Sequence, residues 1–306
     1  SNALKKFSRL SDSEIVTPQL ITDKIINTIP YKAFEGNNQI LDLAAKQGEF
    51  VYAVYRKFGK NIAGKFYSIP TSRIAYEFTR KVYSLLELDI NLIEQNYTSY
   101  DLIEKEALVE NKEININGST MKFNAIIGNP PYQQKDEGTN QNSATPIYNR
   151  FMEFAKKTNP TYISLIMPTK WFAGGKGLTT FRNDMLSDVH IAELHDFLEP
   201  ELIFKNINVR GGICYLLWDA DYDNSKDLTK VFTYKNDLTP QCHTRQLKTE
   251  GSDIFIRHYP AIQMLKKIKS HPNFESFEDY VSTRRPFGID GNVTDDPSLF
   301  KTTKRG

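Results

Sequence analysis

Residues 123–132 read Phe-Asn-Ala-Ile-Ile-Gly-Asn-Pro-Pro-Tyr. The run Phe123 to Ile127 predicts a buried strand, and Gly128 with Asn129-Pro130-Pro131-Tyr132 predicts its exit into a stiff, exposed elbow. Two prolines hold φ at about −65° and push the preceding residue to an extended form. The elbow therefore keeps an amide (Asn129), a main-chain carbonyl (Pro130) and an aromatic ring (Tyr132) in fixed relation, with no prolyl N–H at Pro130 or Pro131 to compete. That set suits chemistry on an exocyclic amine, whose lone pair is delocalised into its ring. Two acceptors gripping the amine hydrogens, Asn129 Oδ1 and the Pro130 carbonyl, favour a tetrahedral nitrogen with a localised lone pair. Tyr132 offers a face on which an extruded base can stack. An ordinary strand-to-turn junction could carry the same residues, so the flanking sequence has to decide.

Upstream, Gln39 to Leu43 predicts a short strand carrying Asp42 near its end, and Ala44 to Gly48 turns into a helix bearing Phe50, Val51, Val54, Tyr55 and Phe58. Strand, small-residue turn and helix make a nucleotide-type site at the carboxyl edge of a parallel sheet. Asn61 to Tyr67 predicts a second strand, followed by a helix with Ile74, Phe78, Val82, Leu85 and Leu86 on one face, and Ile90 to Glu94 a third strand. Thr17-Pro18 predicts a helix start with Thr17 as N-cap, and Leu20, Ile21, Ile25, Ile26 and Ile29 on its inner face. Ile114 to Met121 alternates around Asn117-Gly118, the pattern of a type I′ hairpin.

Downstream, the polar residues 133–146 predict a mobile loop, and Pro146 the start of a helix with Ile147, Phe151, Phe154 and Ala155 inward. Tyr162 to Met167, Ile191 to Phe197 and Val209 to Asp219 predict further strands, and Trp218 reads as core. The polar run Asp219 to Asp227 predicts a domain boundary near residue 220, and Ala261 to Ile268 a helix beyond it.

The 306 residues are 40% hydrophobic, enough for one sizeable core and part of a second. Ser1-Asn2-Ala3 reads as a tag-cleavage scar, and the stop at Gly306 as a truncation. No long apolar run and no signal peptide are visible, which predicts a cytoplasmic protein without a membrane partner. Cys214 and Cys242 are too few for a disulfide framework or a four-ligand zinc site, and five scattered histidines give no metal-ligand spacing. A formal net charge of +2 means that any nucleic-acid surface has to come from local clustering.

With these residues in hand, the chain resembles the amino-specific DNA methyltransferases, whose motif IV is Asn-Pro-Pro-Tyr. It is most similar to the adenine-N6 methylase part of Eco57I-like restriction–modification enzymes. Asp42, Ala44, Gly48 and Phe50 fit that family's motif I; Leu43, Lys46 and Gln47 depart from it, with Lys46 where the first glycine stands. Thr17-Pro18 resembles motif X and Pro146 to Phe151 motif V. Pro168-Thr-Lys-Trp followed by Gly174-Gly-Lys-Gly-Leu178 is similar to a stretch of the same family, and Val209 to Asp219 to the strand after its motif VIII. The resemblance spans about residues 15–290 in the γ motif order.

The resemblance implies a SAM-dependent methyltransferase (Rossmann-like) fold: α/β, doubly wound, with a mainly parallel seven-stranded sheet whose last strand is antiparallel. It assigns residues 4–220 to the catalytic domain and 221–306 to the start of a target-recognition region. It implies site-specific adenine-N6 methylation of double-stranded DNA with S-adenosylmethionine (SAM) as cofactor. It allows nuclease or helicase parts of a larger polypeptide or complex as partners.

The catalytic set would be Asn129, Pro130, Pro131 and Tyr132. Thr17, Pro18, Asp42, Leu43, Ala44, Gly48, Phe50 and Ile69 would meet the cofactor, with Asn96 or Asp101 at motif III, where spacing does not choose between them. Lys170, Lys176, Arg182, Arg284 and Arg285 would meet DNA, and no metal is implied. The segment Ser68-Ile-Pro-Thr71 lacks the acid that usually binds the cofactor's ribose. That departure, with Lys46, keeps a silent DNA-recognition scaffold open beside the enzyme. An RNA or protein amino-methyltransferase is the other alternative, since such enzymes share the elbow.

Overall fold

The computed structural model describes residues 15–89, 91–92, 97–104, 109–110, 113–116, 119–135, 144–175, 177–204, 209–277 and 280–281. In chain order the first half runs α1 (Gln19–Thr28), β1 (Ile40–Ala45), α2 (Glu49–Phe58), β2 (Phe66–Pro70), α3 (Arg73–Leu85), α4 (Asp101–Glu104), β3 (Val109–Glu110), β4 (Glu113–Ile116), β5 (Ser119–Met121) and β6 (Ala125–Gly128). The second half runs β7 (Gln133–Lys135), β8 (Ala144–Pro146), α5 (Tyr148–Lys157), β9 (Tyr162–Pro168), α6 (Thr179–Ser187), β10 (Ile191–Phe197), β11 (Ile213–Asp219), α7 (Asn224–Asp227), β12 (Thr229–Tyr234), β13 (Gln241–Arg245) and α8 (Tyr259–Lys269).

The main sheet has the order β13-β12-β10-β11-β9-β6-β1-β2. β2, β1, β6 and β9 are mutually parallel, while β11 runs antiparallel to both β9 and β10. Every residue of β1, β6 and β9 is buried, as their unbroken apolar runs require of strands covered on both faces. Period-two alternation sorts the side chains: Ile126 joins a core with Phe151 and Met152 of α5, while Ala125 and Ile127 join one with Ile25 of α1 and Val54 of α2. Helices thus pack on both faces, which is the doubly wound architecture expected.

The expected seven strands become eight, and the boundary near residue 220 is not where the sheet ends. β12 lies parallel to β10, and β13 pairs antiparallel with β12. Within the polar run that suggested a linker, Asn224 is buried: its Nδ2 donates to the Asp188 carbonyl (3.0 Å) and to Thr229 Oγ1 (3.1 Å). The chain divides into two compact units at Arg257/His258. In the second unit α8 opens on Pro260 and carries Lys266, Lys267 and Lys269 in its last turn.

Other expectations shift locally. The second strand starts at Phe66 and runs through Pro70. The third is a single parallel bridge, Leu92 to Ser68, its neighbours 90 and 93–96 lying outside the described residues. β4 and β5 form the expected hairpin, though its turn at 117–118 lies outside the described residues. Residues 133–135 and 144–146 are paired strands, so Pro146 ends a strand and does not start α5; residues 136–143 of the expected loop are outside the description.

Leu20 of α1 is exposed. α3 buries Ala75, Thr79, Val82 and Tyr83, leaving Ile74 (60%) and Leu85 (66%) in solvent. Tyr83 sets that rotation: its hydroxyl reaches Ser68 Oγ (3.0 Å) and the Phe66 carbonyl (3.2 Å) on β2.

Far from β2, the fully buried Asp196 of β10 meets Arg257 through Nε (2.8 Å) and a second guanidinium nitrogen (2.5 Å). The same guanidinium donates to the Gly211 carbonyl at 2.6 Å. Removing one partner of a buried pair strands the other charge, so Arg257→Ala is expected to cost about 3–5 kcal/mol in urea unfolding. Adding Asp196→Asn to that variant should restore part of the loss.

Candidate functional site

β1 and β6 are parallel neighbours with Asp42 opposite Ile127, and beyond that point their chains part. β1 leads to β2 on one side and β6 leads to β9 on the other. This reversal marks the switch point, and open α/β sheets bind ligands in the crevice at the strand carboxyl ends there. Two glycines permit the close approach there. A Cβ on Gly128 (φ +149°) would stand 3.1 Å from Asp42 Oδ1 and 3.5 Å from the Leu43 nitrogen. Gly48 starts α2 at φ 73°, and a Cβ there would meet Val82 Cβ at 2.9 Å. Lys46, at the position of a glycine in the family motif, is not among the positive-φ residues, so its backbone needs no glycine.

Asn129 is 1% exposed, so the elbow is buried and not exposed as its sequence suggests. What covers it is the N-terminal segment. Asn129 Nδ2 donates to the Ile15 carbonyl (2.7 Å) and to Thr17 Oγ1 (3.0 Å). Thr17 is thus used as an acceptor for the elbow and not as a helix cap; the residue before α1 is Pro18, whose carbonyl accepts from the Ile21 and Thr22 amides. Glu49 completes the join, accepting from the Gln47 amide (2.8 Å) and the Thr17 amide (3.4 Å).

With both donors on Nδ2 engaged, Asn129 Oδ1 is left buried with no hydrogen-bond partner among the described residues, and Asp42 Oδ2 is in the same condition. Asp42 Oδ1 accepts from the Ala44 amide at 3.1 Å. Burial, reinforced by the charge of Glu49, holds the Asp42 carboxyl well above its ordinary value of 3.8, against the Ala44 N–H and the Lys46 ammonium. The Lys46 ammonium donates to the main-chain carbonyls of Asn129 and, at 3.4 Å, Ala44. The crevice floor is therefore rich in acceptors drawn from three distant segments.

Tyr132 is 7% exposed and packs in the core on the α1–α2 face, its hydroxyl buried without a partner among the described residues. Burial, with a smaller contribution from Cys214, pushes that phenol well above its usual range. The ring expected to face a base is covered in this conformation. Leu43, Ala44 and Ile69 are core side chains on one face of the sheet and Phe50 on the other. Ala44 reaches the crevice through its main chain, whereas the contacts made by Phe50 and Ile69 are those of core packing.

At the carboxyl end of β2 no acid appears. Ser68 is held by Tyr83, the Pro70 carbonyl accepts from the Ser99 amide (2.8 Å), and the hydroxyls of Thr71 and Ser99 are buried without partners among the described residues. Asp101 accepts from the Thr98 amide (2.7 Å) and hydroxyl (3.2 Å), while Asn96 lies outside the described residues. Lys170 is exposed on the single turn after β9. Arg182 is only 8% exposed and donates to the Asp253 carbonyl (2.9 Å), so it supports a loop and is not the free phosphate contact expected. Lys176, Arg284 and Arg285 lie outside the described residues.

Sequence reasoning missed Ile15 and Glu49. Neither carries a chemical signature, and both enter through tertiary contacts spanning 114 and 32 residues respectively.

Residues 38–204 match the profile of the family described as Eco57I restriction-modification methylase. An uncharacterized adenine-specific methylase of Mycoplasma pneumoniae is 28% identical over 152 residues, covering 49% of this chain and 36% of that protein. The type II methyltransferase M.PstI of Providencia stuartii is 23% identical over 248 residues, covering 74% and 48%. The chain thus spans less than half the length of either relative. Among solved structures, a type I restriction-modification methyltransferase subunit from Streptococcus thermophilus aligns with a TM-score of 0.54 at 14% identity, covering 88% of this chain and 56% of that one. A DrdV–DNA complex aligns with the same TM-score at 12% identity, covering 78% and 30%. At these identities the likeness shows the fold.

Because the folded-state pKa of Asp42 lies above its unfolded value, its contribution to stability is fully present below that unfolded value and is lost as pH rises toward the folded one. Asp42→Asn removes this penalty. In urea unfolding at a series of pH values, the stability of the variant relative to wild type is expected to increase as pH climbs above about 4. A pH-independent difference would contradict the raised pKa of the buried Asp42 carboxyl.

Proposed function

Since this chain belongs to the Eco57I restriction-modification methylase family, we propose that it methylates the N6 amine of adenine in double-stranded DNA, with SAM as methyl donor. The observation that carries the reading is the Asn129 amide, clamped through Nδ2 so that a buried, unpartnered Oδ1 remains at the elbow. The crevice chemistry fits a cationic donor. Its buried, unpartnered Asp42 Oδ2 is joined by the main-chain carbonyls of Ala44 and Asn129, which already hold an ammonium. When bound, SAM supplies an electrophilic methyl on a sulfonium.

The residues of the chain do the rest. Asn129 Oδ1, with the Pro130 carbonyl, accepts the two amino hydrogens of the flipped base and localises the nitrogen lone pair toward the methyl. As positive charge grows on that nitrogen, the same fixed acceptors stabilise it without reorganising. The Ile15 and Thr17 acceptors keep the amide from rotating its donor into the base. Stacking of the base on Tyr132 requires its covered ring to be uncovered, so base entry and movement at the elbow are coupled. That the Streptococcus thermophilus neighbour is one subunit of a type I restriction-modification system supports restriction–modification parts as partners of this chain. The covered ring also favours the second reading, a silent scaffold in DNA recognition, and methylation assays on the wild-type chain separate the two.

Asn129→Ala is expected to lower methyl transfer to DNA by about 10²–10³-fold, the scale for losing one preorganised electrostatic contact, while calorimetric SAM binding is largely kept. Full activity in that variant would sink the assignment. At Tyr132 the ring and the hydroxyl are expected to separate. Tyr132→Phe deletes a buried, unpartnered hydroxyl and keeps activity. Tyr132→Ala weakens productive DNA binding by about 1–3 kcal/mol, read as DNA affinity with SAM affinity unchanged.

A further inference from the structure

Lys46 is 0% exposed, a rare condition for a lysine, and it lies in the turn between β1 and α2, beside the switch point. Its ammonium bridges two main-chain carbonyls from opposite walls, Asn129 on the β6 side and Ala44 on the β1 side. Asp42, whose Oδ2 is buried with no partner among the described residues, lies within reach of the charge on that ammonium. The floor of the crevice thus offers acceptors to a cation, and the cation present is the chain's own side chain.

We propose that Lys46 is a cofactor gate: its ammonium holds the acceptor pair of Ala44 and Asn129, and yields it to the ammonium of an incoming α-amino acid moiety. This rests on the reading of SAM as the cofactor. The ligand carries one α-ammonium, and it and Lys46 cannot both take the same two carbonyls. Lysine is suited to such exchange. Its stem has four rotatable carbons, and its charge regains hydration on swinging out, which offsets the loss of the two bonds. The apparent affinity for SAM is then the intrinsic affinity reduced by the fraction of chains in which the gate stands open.

The test compares two ligands on three proteins by calorimetry. SAM carries the α-amino acid tail, and 5′-methylthioadenosine carries the same nucleoside without it. Wild type, Lys46→Met (which keeps the packing of the stem) and Lys46→Ala are titrated with each, and melting temperatures establish that each variant is folded. SAM is expected to bind at least about tenfold more tightly to both variants, with methylthioadenosine unchanged. Equal or weaker SAM binding in the variants overturns the gate and makes Lys46 a support for the ligand or for the fold. If neither compound binds to any of the three proteins, the cofactor assignment fails and the gate falls with it. A second measurement needs no variant: reductive methylation of wild-type Lys46, read by mass spectrometry, is expected to rise when saturating SAM is present. A lysine that stays protected in the bound protein overturns the proposal.

Discussion

One buried amide joins the two ends of the candidate site. Asn129 Nδ2 bonds the Ile15 carbonyl and Thr17 Oγ1, tying a segment from before α1 to the loop after β6. A buried amide that cannot satisfy its donors costs about 1–3 kcal/mol for each group left unpaired. Here the donors are satisfied and one acceptor is not, so the unmet demand is concentrated on a single oxygen. The orientation of that oxygen follows from the donors' partners and not from any contact of its own. Thr17, Glu49 and Gln47 extend the tie to the turn after β1, so that the crevice has one continuous polar rim.

The rest of the molecule supports this rim by making the central sheet rigid. The fully buried strands β1, β6 and β9 leave little room for relative movement, because close-packed interiors transmit displacement instead of absorbing it. On the other side of the sheet the Asp196–Arg257 pair fixes the loop at Gly211, whose carbonyl accepts from both Arg257 and Thr169. Thr169 lies in the turn that follows β9. Two loops at the strand ends are thereby locked to each other by a buried charge, and neither belongs to the elbow.

What the sequence revealed and what it hid divide along a physical line. Central strands were legible because they are covered on both faces and read as unbroken apolar runs. The elbow was legible because Gly-Asn-Pro-Pro-Tyr constrains its own backbone. The inner face of α3 was misread because Ile74 and Leu85 have helical spacing, while the hydroxyl of Tyr83, seeking Ser68, decides the rotation. The continuation of the sheet past residue 220 was hidden because a polar residue such as Asn224 can be buried when several partners await it, among them the Asp188 carbonyl 36 residues upstream. Arg182 looked like a surface cation for the same reason. The burial of Asn129 could not be foreseen at all, since its cover comes from a segment more than a hundred residues upstream.

The strand pair β7–β8 leaves the elbow immediately after Tyr132 and returns immediately before Ile147, and its base is closed by the Ile147 amide on the Tyr132 carbonyl. The pairing holds the two ends of the intervening segment together at Tyr132 and Ile147, so a change in the length of that segment is expected to leave the base of the pair in place. Loop closure entropy grows only slowly with length, so the stability cost of such edits is small. The site therefore has a region beside it in which new sequence can be tried at little risk to the chemistry.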